Sequence, residues 1–135
     1  MTTKAKKSVK KAFDFMTIKT FEDACKKVNH DPKNLPDISM IPARLRKFVL
    51  AAFKLAIIAE AINDGWKPDW TTYKMYKWFP WFNLSSGCVF SNSDYNFSSA
   101  YAGAGSRLCF ETEAKSDYCG KHFIKLYVDL MVIKK

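Results

Sequence analysis

Apolar positions recur at helical spacing through the first half of the chain, alternate with polar ones in the middle, and return to helical spacing near the end. Residues 1–16 are lysine-rich, with Val9, Ala12, Phe13 and Met16 at helical spacing. Such a segment forms a short amphipathic helix on contact with a surface and frays without one. Thr20 then reads as an N-cap, with Glu22 and Asp23 in the first turn, where the helix dipole favours acids. Phe21, Ala24, Cys25 and Val28 fall at i, i+3, i+4 and i+7, one buried stripe on a short helix. That helix stops ahead of Pro32, which disfavours helix for the residue before it. Pro32 and Pro36 hold the following linker in extended or turn conformations.

The strongest helical pattern runs from Ala43 to Asn63, with Pro42 in its first turn. Leu45, Phe48, Ala52, Leu55, Ala56, Ala59 and Ile62 make its apolar stripe, and the polar face is narrow, marked by Lys47 and Lys54. This predicts a buried helix whose whole stripe faces the sheet and the last helix. Asp64–Gly65 ends it, with the glycine in the C-cap conformation. Farther on, alternation puts Tyr73, Met75, Lys77 and Phe79 on one strand face and Lys74, Tyr76 and Trp78 on the other. Pro80 ends that strand or places it at an edge. Residues 83–99 read as a hairpin with irregular loops, Gly103 and Gly105 as a turn, and Arg107–Phe110 as a short strand. Thr112 caps a final helix with Cys119, Phe123, Leu126, Tyr127 and Leu130 on one face.

The fold class expected is therefore α+β: N-terminal helices and one long buried helix packed on a small antiparallel sheet, with a C-terminal helix. A length of 135 residues suits one hydrophobic core and is too short for two. The division expected is a basic arm over 1–19 and a single domain over 20–135. No internal repeat is visible.

Charge changes this picture only at the N-terminus. The formal net charge is +9, and residues 1–19 supply +5 of it through Lys4, Lys6, Lys7, Lys10, Lys11 and Lys19 against Asp14. A basic arm on a mildly basic body suits a polyanionic partner, while the plainer reading is a solubilising tail. No secretory h-region follows the charged start, and the apolar run from Phe48 to Ile62 is interrupted by Lys54 and too short to span a bilayer. The expectation is a chain without membrane association whose four cysteines stay reduced.

Catalytic templates find no match. There is no Walker loop, dinucleotide fingerprint or G-x-S-x-G elbow, and the acids are scattered without D-x-D or E-x-x-E pairing. Cys119 and His122 lie one helical turn apart, with Cys109 and Cys88 upstream. A Cys₃His zinc site normally shows paired ligands at both ends, and Cys119 sits on the apolar stripe, where a small buried hydrophobe is its ordinary role. A Cys–His nucleophile is weaker still, because a base three residues along a helix need not face the thiol. No metal, cofactor or catalytic residue is expected, and His30 reads as a helix-end residue. Trp66, Trp70, Tyr73, Tyr76, Trp78 and Trp81 are interleaved with Lys67, Lys74 and Lys77. Rings that stack on bases beside lysines that follow phosphates hold single-stranded nucleic acid. The competing reading is that most of these rings fill the core of a small sheet.

The stretch from Gly65 to Phe82, with its GWKPDW and YKMYKWFPWF runs, and the later GSRLCFETEAKSDYCGKHF resemble a family of small uncharacterised proteins of bacteriophages and mobile elements from Bacteroides-type gut bacteria. The similarity covers Phe21 to Val132. It implies a phage origin and carries no reaction. The function expected is thus a non-enzymatic phage accessory protein associating with nucleic acid through Lys4, Lys6, Lys7, Lys10 and Lys11 and through Lys74, Tyr76, Lys77, Trp78 and Trp81. The alternatives are a phage structural or assembly protein docking on other protein subunits, and an inhibitor of a host protein. The location expected is the host cytoplasm, with the virion as the alternative, and the oligomeric state is open.

Overall fold

The computed structural model describes residues 12–72, 74–85, 87–97 and 101–133. Among the described residues, four helices and a two-stranded antiparallel sheet make an α+β domain. Lys4, Lys6, Lys7, Lys10 and Lys11 lie outside the described residues, as do Tyr73 and most of the amphipathic segment expected over 1–16.

The chain enters through a 3-10 turn, Phe15–Thr17, whose N-cap Asp14 accepts a bond from the Met16 amide at 2.9 Å. Ile18 is buried, and Phe13 and Phe15 pack against the core. The packed domain therefore reaches back to Phe13, ahead of the boundary expected at residue 20. Helix α1 spans Phe21–Lys27 and opens on a capping box. The Thr20 hydroxyl accepts from the Asp23 amide at 3.0 Å, and the Asp23 carboxylate accepts from the Thr20 amide at 3.1 Å. Two donors that a helix start leaves orphaned are thereby satisfied. Phe21, Ala24 and Cys25 of the expected stripe are buried.

Helix α2 spans Ala43–Asn63 with Pro42 at its N-cap, one position before the first turn. Its end is closed by Asp64, which itself takes the left-handed conformation at φ 48°, followed by Gly65 at φ 87°. A non-glycine residue there bears steric strain, and a Lys27–Asp64 ion pair at 2.7 Å ties the cap to the end of α1. The burial of α2 is uneven. From Ala51 to Asn63 it is buried on nearly every side, including Ile57, Ile58 and Ala61 outside the expected stripe. Leu45 and Phe48, expected in the core, are 40% and 45% exposed. Helices α1 and α4 both pack on α2, while the side chains of its first turns stay open to solvent.

Strands β1, Lys77–Asn83, and β2, Val89–Asn96, pair with a register shift between Trp81 and Phe82. Pro80, expected to end the strand, lies inside β1 opposite Ser93. On its free side β1 bridges, among the described residues, to Phe110: the Trp78 and Phe110 backbones exchange hydrogen bonds at 3.0 and 2.7 Å. By alternation Pro80 turns its nitrogen to that same side, away from β2, so no ladder bond is lost. The strand expected over Arg107–Phe110 reduces to this one bridge.

Helix α3, Glu113–His122, is capped by the Thr112 hydroxyl accepting from Lys115 at 3.1 Å. The expected single C-terminal helix breaks at Phe123, after which α4 runs Ile124–Met131. Cys119, Phe123 and Tyr127 are buried on the predicted face. Helix α3 lies across the hairpin, and Gly120 makes that approach tolerable: a Cβ there would stand 2.7 Å from both Pro80 and Phe90. Ser93 of β2 seals the contact, its hydroxyl 2.7 Å from that of Ser116 and 2.6 Å from the Asp117 carboxylate.

Candidate nucleic-acid interface

The aromatic-basic stretch divides between the two faces of β1. Trp78 stands opposite Tyr95 in the register, and because the Trp78 backbone bonds to Phe110, this is a non-hydrogen-bonded pair with its side chains close. Their ring centroids are 5.0 Å apart. Tyr76 completes the cluster, edge-on to Tyr95 at 4.7 Å and tilted on Phe97 at 4.9 Å. Tyr76, Tyr95 and Phe97 are each about 45% exposed, whereas Trp78 is half-buried and reaches the core. Lys74 is exposed two residues before Tyr76. One candidate ring thus anchors the patch and three rings offer surface.

Lys77 and Trp81 belong to the other face. Trp81 is 53% exposed and stacks on Phe79, with centroids 6.3 Å apart. Phe79 is covered by the glycine turn: a Cβ on Gly103 would meet its ring at 3.2 Å. Lys77, expected to contact phosphate, is withdrawn from solvent with 0% exposure. Its Nζ donates to the Thr72 carbonyl at 3.4 Å and lies 4.8 Å from the Trp70 ring centroid. A carbonyl dipole and a ring face offset part of the desolvation of a buried ammonium. The Trp70 indole donates to Ser106 at 2.6 Å, so this tryptophan is structural. Hydrogen bonds from the Thr71 side chain and backbone hold the Asp69 carboxyl below its ordinary range, with the Lys77 charge adding to them.

Tyr95 and Phe97 were not among the residues expected at the site. Their signal is an i, i+2 aromatic pair in the second strand of a hairpin, and it gains meaning only once the register sets Tyr95 against Trp78.

The segment just ahead of α1 is held against α3. The Tyr118 hydroxyl donates to the Ile18 carbonyl at 2.6 Å, and His122 Nε2 lies 2.7 Å from the Lys19 carbonyl, a contact that requires a proton on that nitrogen. The two rings stack, 5.1 Å apart and 12° from parallel.

This engagement separates His122 from the thiols. Cys119 is buried against the Tyr127 hydroxyl at 3.5 Å while His122 is exposed. Among the described residues no three His, Cys, Asp or Glu side chains are grouped to hold a metal ion. Burial pushes the Cys119 thiol up to about 12 and the Cys109 thiol up to about 11, against an ordinary 9.0. Both stay protonated in the folded chain where unfolded thiols ionise. Their contribution to stability is full below about pH 9 and is lost as pH rises through 11 and 12. The denaturation midpoint is expected to fall from pH 9 upward, with a shallower fall in Cys119→Ala, and to be indifferent to chelator and reductant at pH 7. A midpoint lowered by chelator would point to bound metal.

The fold and the patch define a small α+β domain with an exposed ring cluster on one end of a β-hairpin. No protein-family model, curated protein or solved structure matches the chain. No helix among the described residues is long and apolar enough to cross a membrane.

Proposed function

We propose that this is a non-enzymatic phage accessory protein that binds nucleic acid, with the lysine-rich arm as an electrostatic tether and the Tyr76–Tyr95–Phe97 cluster as a stacking surface. The phage context rests on the sequence resemblance. The binding reading rests on one observation above all: three large rings half-open to solvent, with exposed Lys74 two residues ahead of Tyr76 in sequence, on a chain of net charge +9. Stacking on such rings tolerates any base, because every base has a π-face. The lysines neutralise phosphates and release counterions, so affinity falls steeply with salt. Lys77 takes no part, being buried, and Trp81 addresses the opposite face.

The test is fluorescence anisotropy with labelled single- and double-stranded DNA and RNA across a salt series. Tyr76→Ala and Tyr95→Ala are each expected to weaken single-strand binding by about 1–3 kcal/mol. Removing residues 1–11 is expected to flatten the salt slope without unfolding the domain. Trp81→Ala reports on the other face and is expected to leave binding close to wild type. Absence of binding to any of these at low salt would sink the proposal and favour a protein-docking role.

A further inference from the structure

Away from the rings, the two ends that the core leaves uncovered lie side by side. The first turns of α2 and the end of α4 line a groove of about 620 Å³ whose walls include Leu45, Phe48, Leu130, Met131 and Ile133. Leu45, Phe48 and Met131 are each about two-fifths exposed and Ile133 is 94% exposed. Contiguous apolar surface of this kind on a charged protein marks an interaction site more often than scattered exposed residues do.

Its electrostatics select the occupant. Arg44 and Lys47 line the groove against one acid, Asp129. Helix α2 begins there without a side-chain cap and without an acidic residue in its first turn. Its amide dipoles therefore add positive potential to that of Arg44 and Lys47. A second copy of this chain fits poorly, because a two-fold interface would set Arg44 and Lys47 of both copies together. Apart from the uncapped start of α2 and the two non-helical residues Val132 and Ile133, the walls are helical, so little strand edge is offered to an extended peptide. An occupant must satisfy its own backbone, as a helix does.

We infer that this groove is a docking site for an acidic amphipathic helix of a partner protein. Apolar side chains at i, i+3, i+4 and i+7 enter between Phe48 and Met131, and flanking carboxylates meet Arg44, Lys47 and the start of α2. This surface is independent of the nucleic-acid reading and would stand if that reading failed.

The probe is a synthetic peptide of about four helical turns with leucine at i, i+3, i+4 and i+7 and glutamate elsewhere. It is titrated into the full-length protein beside a lysine-for-glutamate counterpart and a scrambled peptide of the same composition. The glutamate peptide is expected to bind at least about tenfold more tightly than either. Phe48→Ser is expected to reduce that affinity by about tenfold with an unchanged melting temperature, since the side chain is half-exposed. Arg44→Glu with Lys47→Glu is expected to transfer the preference to the lysine peptide. Equal binding of the scrambled peptide, indifference to Phe48→Ser, or no binding at all would overturn the proposal. So would sedimentation showing a dimer that Phe48→Ser dissolves, which would make a second copy the occupant.

Discussion

Replacing Leu55 with Ala is expected to lower the unfolding free energy by about 2–5 kcal/mol. Leu55 is fully buried in the middle of α2, within the cluster that also holds Ile58, Ile62, Phe110 and Tyr127. Truncation removes the transfer free energy of three carbons and leaves a cavity that a helix clasped between α1 and α4 cannot close. The same change at Leu45 is expected to cost far less, because that residue already meets solvent. Urea denaturation of the two variants checks both values. Similar losses at the two positions would refute the uneven burial of α2.

The second large effect is expected at Asn63, the last residue of α2. It is buried, donates from Nδ2 to the Cys109 carbonyl at 2.9 Å, and accepts from the Glu111 amide at 3.1 Å. One side chain thereby satisfies backbone groups on both sides of Phe110, the residue that bridges to Trp78. Asn63→Ala leaves the buried Cys109 carbonyl unpaired, at about 1–3 kcal/mol, and strips the part-buried Glu111 amide of its acceptor at a smaller cost. Hydrogen exchange at the Glu111 amide is expected to accelerate in parallel. Asn63→Asp separates the causes. Its carboxylate keeps the acceptor, loses the donor, and introduces a charge facing the Cys109 carbonyl. Burial raises the pKa of such an acid in the folded chain, so the variant is expected to be least destabilised below about pH 4 and progressively worse above it. Asn63→Ala should show no such pH dependence. A destabilisation by Asn63→Asp that is flat with pH would remove the buried-charge account.

The Asn63 contact shows where reading the chain alone stops. Asn63 looks like the polar end of a helix, and nothing nearby in sequence announces that its amide belongs to residues 109 and 111. The boundaries of α1 and the start of α3, by contrast, were legible. Thr20 with Asp23 and Thr112 with Lys115 act within one turn of chain, so the local sequence contains both partners of each bond. The span of α2 was legible for the same reason, through its unbroken apolar composition and the Asp64–Gly65 stop.

The candidate interface was legible in part. Alternation already separated Lys77 and Phe79 from Tyr76 and Trp78, and the structure keeps that division. Which face would be covered was a different matter. Lys77 is buried because the segment carrying Trp70 and Thr72 folds over it, and Phe79 because the turn at Gly103 lies against it. Tyr76 stays open because α3 crosses the hairpin nearer Pro80, at Gly120. Local sequence by itself determined helices, caps, strand parity and the concentration of charge in the first nineteen residues, since each depends on neighbours a few positions away. The exposed turns of α2, the proline inside β1, the buried lysine and the composition of the ring cluster were decided only by the tertiary structure. Burial is a property of what arrives from elsewhere in the chain, and spacing along a helix or strand carries no record of it.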